Sequence, residues 1–556
     1  MTPQVERVLG GAGTGKTTVL ERRLTAFKDA DSLSPEQLAC CTFTRAGRQE
    51  ISERVGAAWG CGADHLTNHG WFRTAHAIAY RQTSVEEGQL LEGAGGMAWI
   101  GEAIGSSVST RFDARSNAVS YLSNGGDPTP ALALKAWDLA RAKSTSLSAI
   151  IATWAEIGEP HPDYSEAETI IRRFEDRKRR EGRLDFTDMI ARFAGIRFHI
   201  EGPVECEPEG EVPPEIKILA IDEAQDSSLL VDRVCRRLAF GGNVEHVMLM
   251  GDPYQSIFSF GGSDYRHFLS WDATETVMPQ SYRCPPKVME LGEQCLRMMR
   301  KGYRDRGIKP ASHDGSVSTV WSIDEALSMV DHGETTMILG RCGFNLEEYE
   351  ARLKGQGMPY SWIDRVGSEN QLSAYMAFWS LAHGEPILGE DWANAIEVIV
   401  ANSKVFGKLI VHGEKKAWKE GKRANLDILR PIQSDLQVAG CTEVLADMLL
   451  EGKWLEVLDS KVRSKAEQWS LAANRFGPEV ASNPKVRLST IHSAKGCEAD
   501  TVILSRSSSQ SVTRSALALE DSHDEECRVN YVGVTRARRR LLVVEDGGWH
   551  KLDLPI

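Results

Sequence analysis

The sequence predicts an α/β protein with two cores built on parallel sheets, each interrupted by a mainly helical insertion. Three observations favour this fold class. An apolar strand near the N-terminus leads into a glycine-rich loop and a helix, later strands end at polar or acidic residues, and two long helical stretches separate the strands into groups. Strands with polar ends are typical of open parallel sheets, because ligands bind beyond the carboxyl ends of such strands.

Length and composition agree with a globular protein of several domains. The chain has 556 residues, of which 42% are hydrophobic and 26% are charged, and this excludes wholesale disorder, collagen and coiled coil. Because 78 acidic residues outnumber 65 Lys and Arg, any nucleic-acid binding requires a local basic surface. There is no apolar run long enough to span a bilayer, and the 11 cysteines show no C-x-x-C pair. We therefore expect a cytoplasmic protein with reduced thiols, of the bacterial or virus-infected cell cytosol or the nucleoid.

The predicted elements of the first core follow one another in a regular order. A strand at residues 5–9 precedes a phosphate-binding pattern at 10–17, and a second strand is predicted at 38–43. Ala-rich helices broken by glycine and proline follow and end in a basic stretch. An acidic, Pro-rich loop at 201–215 then precedes buried strands at 216–221 and 246–250. We assign residues 1–84 and 184–280 to this core and 85–183 to its helical insertion.

A second group of strands predicts the second core. These strands lie at residues 336–339, 486–489, 501–504 and 541–544. Between them is another helical stretch, with a basic run at 404–423. We assign residues 281–371 and 485–556 to the second core and 372–484 to its insertion.

The glycine-rich loop has the pattern G-x-x-x-x-G-K-[ST] in the strand–loop–helix context that the motif requires. Its glycines let backbone N–H groups close around phosphates, Lys16 would reach the β- and γ-phosphates, and Thr17 would ligate Mg²⁺. The predicted nucleotide-binding residues are Gly10, Gly11, Ala12, Gly13, Thr14, Gly15, Lys16, Thr17 and Thr18.

Two acidic residues follow the strand that ends at Ile221. Asp222 can hold the Mg²⁺ through water, and Glu223 can orient and deprotonate the attacking water. Together with the phosphate loop, these carboxylates predict nucleotide hydrolysis.

Motifs in a characteristic order run from residue 10 to residue 538, and through them the chain resembles the UvrD/Rep/PcrA branch of superfamily 1 helicases. Three departures are Ala75 for an aromatic residue, Ser281 for asparagine, and Gly261 where a basic residue usually follows the third motif. Besides the phosphate loop and the acidic pair, the similar segments are residues 41–46, 74–77, 185–188, 251–260 (the third motif), 280–283, 486–498 and 525–538 (the sixth motif).

The resemblance implies two RecA-like cores with ATP between them and a role for each matching residue. Gln255 would sense the γ-phosphate, while Arg283 and Arg536 would come from the second core as arginine fingers. Tyr282 would stack on the adenine and Glu498 would contact the ribose. Single-stranded DNA would contact Phe43, Thr74, His76, Phe258, Phe260, Thr490 and His492.

The implied function is an ATP-dependent DNA helicase that moves 3′ to 5′, with ATP and Mg²⁺ as cofactors and single-stranded and tailed duplex DNA as partners. Two alternatives stay open. One is a single-strand translocase that displaces bound proteins and unwinds little, favoured by Gly261 and the compact second insertion; the other is a nucleotide-gated DNA-binding scaffold. In the family, a glutamine upstream of the phosphate loop reads the edge of the adenine. Gln4 is the one upstream candidate here, and it directly precedes a strand, which leaves no room for the loop that would bring its amide over the base. We therefore also expect loose base selectivity.

Overall fold

The computed structural model describes residues 2–86, 88–113, 118–123, 126–331, 333–363, 369–423, 426–546 and 550–555. The chain folds into two compact units. Unit 1 comprises Met1–Ser318, Ser507–Leu541 and Gly547–Ile556, and unit 2 comprises Thr319–Arg506 and Leu542–Asp546. Contacts thus place residues 281–318 and 507–541, which were assigned to the second core, in unit 1. The six-segment division of the chain stays a prediction.

Unit 1 contains a six-stranded parallel sheet and two hairpins. Its strands are β1 (Gln4–Leu9), β2 (Leu38–Thr42), β3 (Trp71–Thr74), β4 (Val108–Asp113), β5 (Ala118–Ser123), β6 (Ile196–His199), β7 (Gly202–Glu205), β8 (Ile218–Ile221), β9 (His246–Gly251) and β10 (Thr274–Val277). The sheet has the order β10-β1-β9-β8-β2-β3, and all of its pairs are parallel. Strands β4–β5 and β6–β7 form antiparallel hairpins.

The central strands β2, β8 and β9 are buried on both faces. Alternate residues of β2 and β8 enter different core clusters: Cys40 and Ala220 pack on one face, while Cys41 and Ile221 pack on the other. Near-continuous apolar strands are what a parallel sheet covered on both faces requires. The loops after β1, β9 and β8 leave the sheet side by side, followed by those after β2 and β3.

Helices cover this sheet and build the first insertion. The region predicted as an insertion contains four helices and the β4–β5 hairpin, with its own core around Trp137, Ile150 and Phe174. The helices of this part are α1 (Lys16–Ala30), α2 (Arg45–Trp59), α3 (Ala63–Asn68), α4 (Ala75–Gln82), α5 (Gly93–Ile104), α6 (Thr129–Ala142), α7 (Leu147–Ile157), α8 (Tyr164–Glu181), α9 (Phe186–Ala194), α10 (Leu229–Phe240), α11 (Tyr265–Leu269) and α12 (Pro286–Arg297).

A buried ion cluster joins helices α6, α8 and α9. Asp185 caps α9 by accepting a hydrogen bond from the Asp188 backbone N–H, and it also accepts from Arg141 and from Lys178, both at 2.8 Å. Burial raises the pKa of Asp188 to about 6, with help from the charge of Asp185. Burial acts the same way on Asp185, but Arg141 and Lys178 outweigh it and lower the pKa of Asp185 below its usual range. Asp185 therefore stays ionised and supplies part of the charge that balances the two buried cations.

Unit 2 is built on a second six-stranded sheet. The strands from here to the end of the chain are β11 (Ser316–Val320), β12 (Thr336–Gly340), β13 (Tyr360–Trp362), β14 (Ile387–Leu388), β15 (Asn402–Ser403), β16 (Gly407–Lys408), β17 (Ile428–Leu429), β18 (Val486–Thr490), β19 (Ala499–Ser505) and β20 (Ala537–Val544). The order is β11-β20-β19-β12-β18-β13, and the registers among β12, β13, β18 and β19 are parallel. The predicted α/β class with two parallel sheets is confirmed.

The remaining helices include those of the second insertion, whose core contains Trp392, Trp418, Trp454 and Trp469. They are α13 (Ile323–Ser328), α14 (Glu347–Gly355), α15 (Glu369–Ala382), α16 (Gly389–Val398), α17 (Glu414–Lys419), α18 (Gln433–Val438), α19 (Glu443–Leu450), α20 (Ser460–Phe476), α21 (Pro478–Ser482), α22 (Gln510–Ala518) and α23 (Glu520–Val534). The last two belong to unit 1. Within the described ranges, every helix is too short or too polar to cross a bilayer.

Candidate active site

The phosphate loop connects β1 to α1 in unit 1. Gly13 and Gly15 have φ angles of 69° and 80°, in the left-handed region that glycine adopts without steric cost. The Thr14 hydroxyl donates to the Gly11 carbonyl at 3.0 Å and closes the turn. Lys16, the first residue of α1, donates to the Gly10 carbonyl at 3.3 Å and keeps its ammonium over the loop. Thr17 and Thr18 follow in the first turn of α1.

The segment with Tyr282 and Arg283 docks directly on this loop. The Ser281 hydroxyl donates to the Ala12 carbonyl at 2.7 Å, and the Tyr282 N–H donates to the Gly13 carbonyl at 2.8 Å. A Cβ on Gly13 would lie 2.2 Å from the Cβ of Arg283, so the approach requires glycine. The Tyr282 side chain is 73% exposed beside the loop, in a position where a ring can stack on a bound base.

The two predicted carboxylates follow β8 and face the loop lysine. Glu223 lies 3.8 Å from the Lys16 ammonium. It has a φ of 51°, a left-handed conformation that is uncommon outside glycine and recurs at functional sites. Burial raises the pKa of Asp222, and the neighbouring charge of Glu223 raises it further. A cation beside Asp222 would oppose both effects.

Hydrogen bonds connect Glu223 to the third motif. Gln225 donates to Glu223 at 2.5 Å and accepts from the backbone N–H of Asp252 at 3.0 Å. The Asp252 carboxylate in turn accepts from the side-chain amide of Gln255 at 2.8 Å. Because β8 and β9 are adjacent strands, these side chains meet at one edge of the sheet. Gln255 is buried and held in one orientation.

A buried arginine that was not among the predicted site residues contacts the third motif at this edge of the sheet. Arg306 pairs with Asp252 at 2.5 Å and with Glu293 at 3.0 Å. Its guanidinium also donates to the Tyr531 hydroxyl at 3.3 Å, and that hydroxyl accepts from the Ala12 backbone N–H at 3.1 Å. Burial favours a lower pKa for Arg306, but Asp252, Tyr531 and Glu293 together outweigh it and raise the pKa above the usual range. Arg306 lies in no matching motif, whereas Tyr531 lies in the sixth motif without an assigned role.

The two predicted arginine fingers both lie in unit 1, and their assignment to the second core stays a prediction. Arg283 is half-buried next to the phosphate loop. Arg536 follows α23 and is fully buried, with its Nε donating to the Val532 carbonyl at 3.0 Å. Both fall in unit 1 because the segment of Arg283 docks on the phosphate loop, while α23, which precedes Arg536, packs on the third motif.

The predicted DNA-contacting rings differ in exposure. Phe260 is 50% exposed, whereas Phe258 is 5% exposed and packs edge-on against it. Phe43, after β2, is half-buried against the core. The buried position of Phe258 suits a core residue better than a stacking platform, because a stacked base needs an open ring face.

The polar DNA candidates of unit 1 follow β3. The Thr74 hydroxyl accepts from the Ala77 N–H at 3.2 Å and caps α4. Burial lowers the pKa of His76 to about 4, so the imidazole is neutral at physiological pH. It can thus offer a phosphate a hydrogen bond but no charge.

The remaining candidate residues for DNA and ribose contacts lie in unit 2, between the last residue of β18 and the start of β19. The Thr490 hydroxyl accepts from the Ser493 N–H at 3.1 Å, and His492 is buried. Glu498 is half-buried in the segment between β18 and β19. Thr490 and His492 therefore lie together at the carboxyl end of β18, whereas Glu498 directly precedes β19 and lies toward the amino ends of these parallel strands.

Comparisons with known proteins agree with this geometry. Residues 3–275 match the UvrD/REP helicase N-terminal domain, and residues 466–545 match the UvrD-like helicase C-terminal domain. The chain is 25% identical to the ATP-dependent DNA helicase UvrD2 of Mycobacterium tuberculosis, over 96% of this chain and 75% of that protein. It is 22% identical to a probable DNA helicase II homolog of Rickettsia felis, over 96% and 89%. Identity to the ATP-dependent DNA helicase srs2 of Schizosaccharomyces pombe is 21%, over 96% and 69%.

Proposed function

The chain belongs to the UvrD/Rep family of ATP-dependent DNA helicases, and on that premise we propose that it translocates 3′ to 5′ on single-stranded DNA and unwinds tailed duplexes. One observation carries the proposal. The contacts that begin at Lys16 and Glu223 continue through Gln225 to Asp252, at the start of the motif that ends in the exposed ring of Phe260. A single short segment therefore joins the hydrolytic site to a base-stacking surface.

The side chains of unit 1 suit phosphoryl transfer to water. Lys16 neutralises the β- and γ-phosphates, and Glu223 orients the attacking water and accepts its proton. Gln255 contacts the γ-phosphate from its fixed position on Asp252. Arg283 and Arg536 stabilise the charge that develops in the transition state, because a guanidinium stays charged and pairs bidentately with phosphate oxygens.

The donor set fits Mg²⁺. Thr17 supplies a hydroxyl in the first turn of α1, and Asp222 supplies a buried carboxylate whose pKa is raised by burial. Hydroxyl, carboxylate and phosphate oxygens are the ligands that Mg²⁺ prefers, and the ion would supply positive charge that neutralises the phosphates. Tyr282 would stack on the adenine, and Glu498 would contact the ribose.

Single-stranded DNA is proposed to contact Phe43, Thr74, His76 and Phe260 of unit 1 and the Thr490 and His492 segment of unit 2. Stacking on Phe260 is sequence-tolerant because every base has a π-face. Since the substrate is DNA, we place the protein in the cytosol or at the nucleoid.

A second candidate function is a translocase that displaces bound proteins and unwinds little. It is favoured by the glycine pair after Phe260. Gly262 has a φ of 90°, and a Cβ there would lie 2.7 Å from the Cβ of Ala142 in α6. This segment therefore lies close against α6, and no basic side chain follows the ring.

The test measures ATP hydrolysis with and without single-stranded DNA and then unwinding of duplexes with a 3′ or a 5′ tail. We expect DNA-stimulated hydrolysis and unwinding from the 3′ tail. Unwinding from a 5′ tail alone would overturn the polarity. Displacement of a bound protein without strand separation would favour the translocase, and hydrolysis indifferent to DNA would favour a nucleotide-gated scaffold.

A further inference from the structure

Helix α23 contacts the third motif at three places, each about one helical turn from the next. The contacting residues are Glu525, Arg528 and Tyr531, and their partners are Ser259, Ser256 and Asp252 respectively. The partners therefore run from the Phe260 end of the motif to its nucleotide end as the helix proceeds. All six residues belong to unit 1.

The first contact holds the segment that carries the exposed ring. The Glu525 carboxylate accepts from the backbone N–H of Ser259 at 3.0 Å, and its second oxygen accepts from the Ser259 hydroxyl. Ser259 lies between Phe258 and Phe260 in the sequence. Hydrogen bonds to a carboxylate are stronger than hydrogen bonds between neutral groups. When Phe260 moves on DNA binding, Glu525 therefore either resists that movement or moves with it.

The second and third contacts reach the nucleotide side. Arg528 is buried and donates to the Ser256 carbonyl at 2.8 Å, while its guanidinium lies 4.9 Å from the Tyr265 ring centroid. Tyr531, one turn later, contacts Asp252 at 3.4 Å and accepts from the Ala12 N–H of the phosphate loop at 3.1 Å.

The helix itself is fixed at its N-terminal half. The Asp524 carboxylate accepts from the backbone N–H groups of Arg300 at 2.7 Å and Lys301 at 3.0 Å. A helix rises 1.5 Å per residue, so Glu525 and Tyr531 are about 9 Å apart along its axis. A displacement at one end is transmitted to the other, because the intervening backbone is hydrogen-bonded throughout.

We propose that α23 couples DNA bound at Phe260 to hydrolysis at the phosphate loop, with Glu525 as the positioning residue at the DNA end. The inference rests on the proposed function, since it requires DNA-stimulated hydrolysis. Glu525 touches neither the phosphates nor the bases; it acts through Ser259. The Tyr531 hydroxyl is the corresponding group at the nucleotide end.

The experiment compares Glu525→Ala with Asp521→Ala, a control that removes a largely exposed carboxylate from the same helix. ATP turnover is measured without DNA and with saturating oligothymidylate. For Glu525→Ala we expect stimulation to fall about tenfold, the scale of losing charge-assisted hydrogen bonds. Turnover without DNA should stay within about twofold of wild type, because the hydrogen bonds that Glu525 accepts from Ser259 lie outside the hydrolytic site. Tyr531→Phe should instead lower both rates, because its hydroxyl contacts the phosphate loop.

A second variant separates coupling from folding. Ser259→Ala removes the hydroxyl and leaves the backbone bond, so its loss of stimulation should be smaller, and the double variant should match Glu525→Ala alone. If Glu525→Ala melts well below wild type, Glu525→Gln replaces it; its amide oxygen still accepts from the Ser259 N–H, so its loss of stimulation should be smaller than tenfold but still larger than that of Asp521→Ala, with turnover without DNA unchanged. Stimulation equal to that of Asp521→Ala, or an equal fall in both rates, would overturn the inference. A wild-type ATPase indifferent to DNA would instead overturn the proposed function.

Discussion

Replacing Phe260 with alanine should weaken both folding and single-stranded DNA binding, and the two losses are measured in separate experiments. Full burial of a phenylalanine stabilises a protein by about 1.5–3 kcal/mol. The Phe260 side chain is 50% exposed, so burial contributes roughly half of that, and its edge contact with Phe258 adds about 0.5–1.5 kcal/mol. We therefore expect a loss of about 1–3 kcal/mol in the free energy of unfolding.

The expected effect on DNA affinity is similar in size but applies to a different equilibrium. Loss of one stacked base costs about 1–3 kcal/mol, which is roughly fivefold to 150-fold in Kd. The assay is a fluorescence anisotropy titration of labelled oligothymidylate without nucleotide. The salt concentration must be fixed, because phosphate contacts make the affinity salt-dependent. Turnover without DNA should barely change.

The matched control is Phe240→Ala. Phe240 ends α10, is also 50% exposed and stacks on Trp271, so its removal tests the general cost of trimming a surface ring. Phe258→Ala is a second control for the effect on folding. Removal of this buried ring should lower the free energy of unfolding by about 3–5 kcal/mol. If Phe260→Ala binds DNA as tightly as Phe240→Ala does, the ring is not a stacking platform and the reasoning fails.

The other predictions concern hydrolysis and stability. Lys16→Ala should abolish ATP turnover and leave single-strand binding intact; binding lost with turnover would contradict its role. Glu223→Gln should retain ATP binding and lose turnover by about a hundredfold or more, measured under saturating ATP, and near-normal turnover would reject it as the residue that positions water. Arg536→Ala should lower turnover more than nucleotide affinity, because it stabilises transition-state charge; equal losses would indicate ground-state binding. In urea unfolding at about pH 5, Asp185→Asn should cost about 3–5 kcal/mol because the buried cations lose an ionised partner, whereas Asp188→Asn should cost under about 1 kcal/mol because Asp188, with its pKa raised to about 6, is mostly protonated there; equal costs would refute this charge assignment.

Much of the fold and the local chemistry could be predicted because the signals are short-range. The phosphate loop needs only glycine spacing between a strand and a helix, and the strand that ends at Ile221 is a continuous apolar run. Glu223 was predicted from its position after a strand, although its left-handed backbone was not. These features are encoded within about ten residues of one another.

The rest depends on contacts between distant segments. Arg306 meets Asp252 and Tyr531 across separations of 54 and 225 residues, and nothing in its own neighbourhood marks it as buried. Phe258 and Phe260 are two residues apart, and their spacing cannot tell which ring packs inward. The resemblance assigns Arg536 to the second core, but it cannot show that α23, which precedes Arg536, packs on the third motif within unit 1.

The discontinuity of unit 1 has a consequence for synthesis. Residues 319–506 are translated between the two segments that build it. At about 5–20 residues per second, the ribosome needs roughly ten to forty seconds to reach Ser507 after Ser318. Throughout that interval the nascent chain holds Asp252 and Arg306 without the Tyr531 hydroxyl and leaves Ser259 without Glu525. We therefore expect the nascent chain to acquire its ATPase only after Tyr531 has been translated.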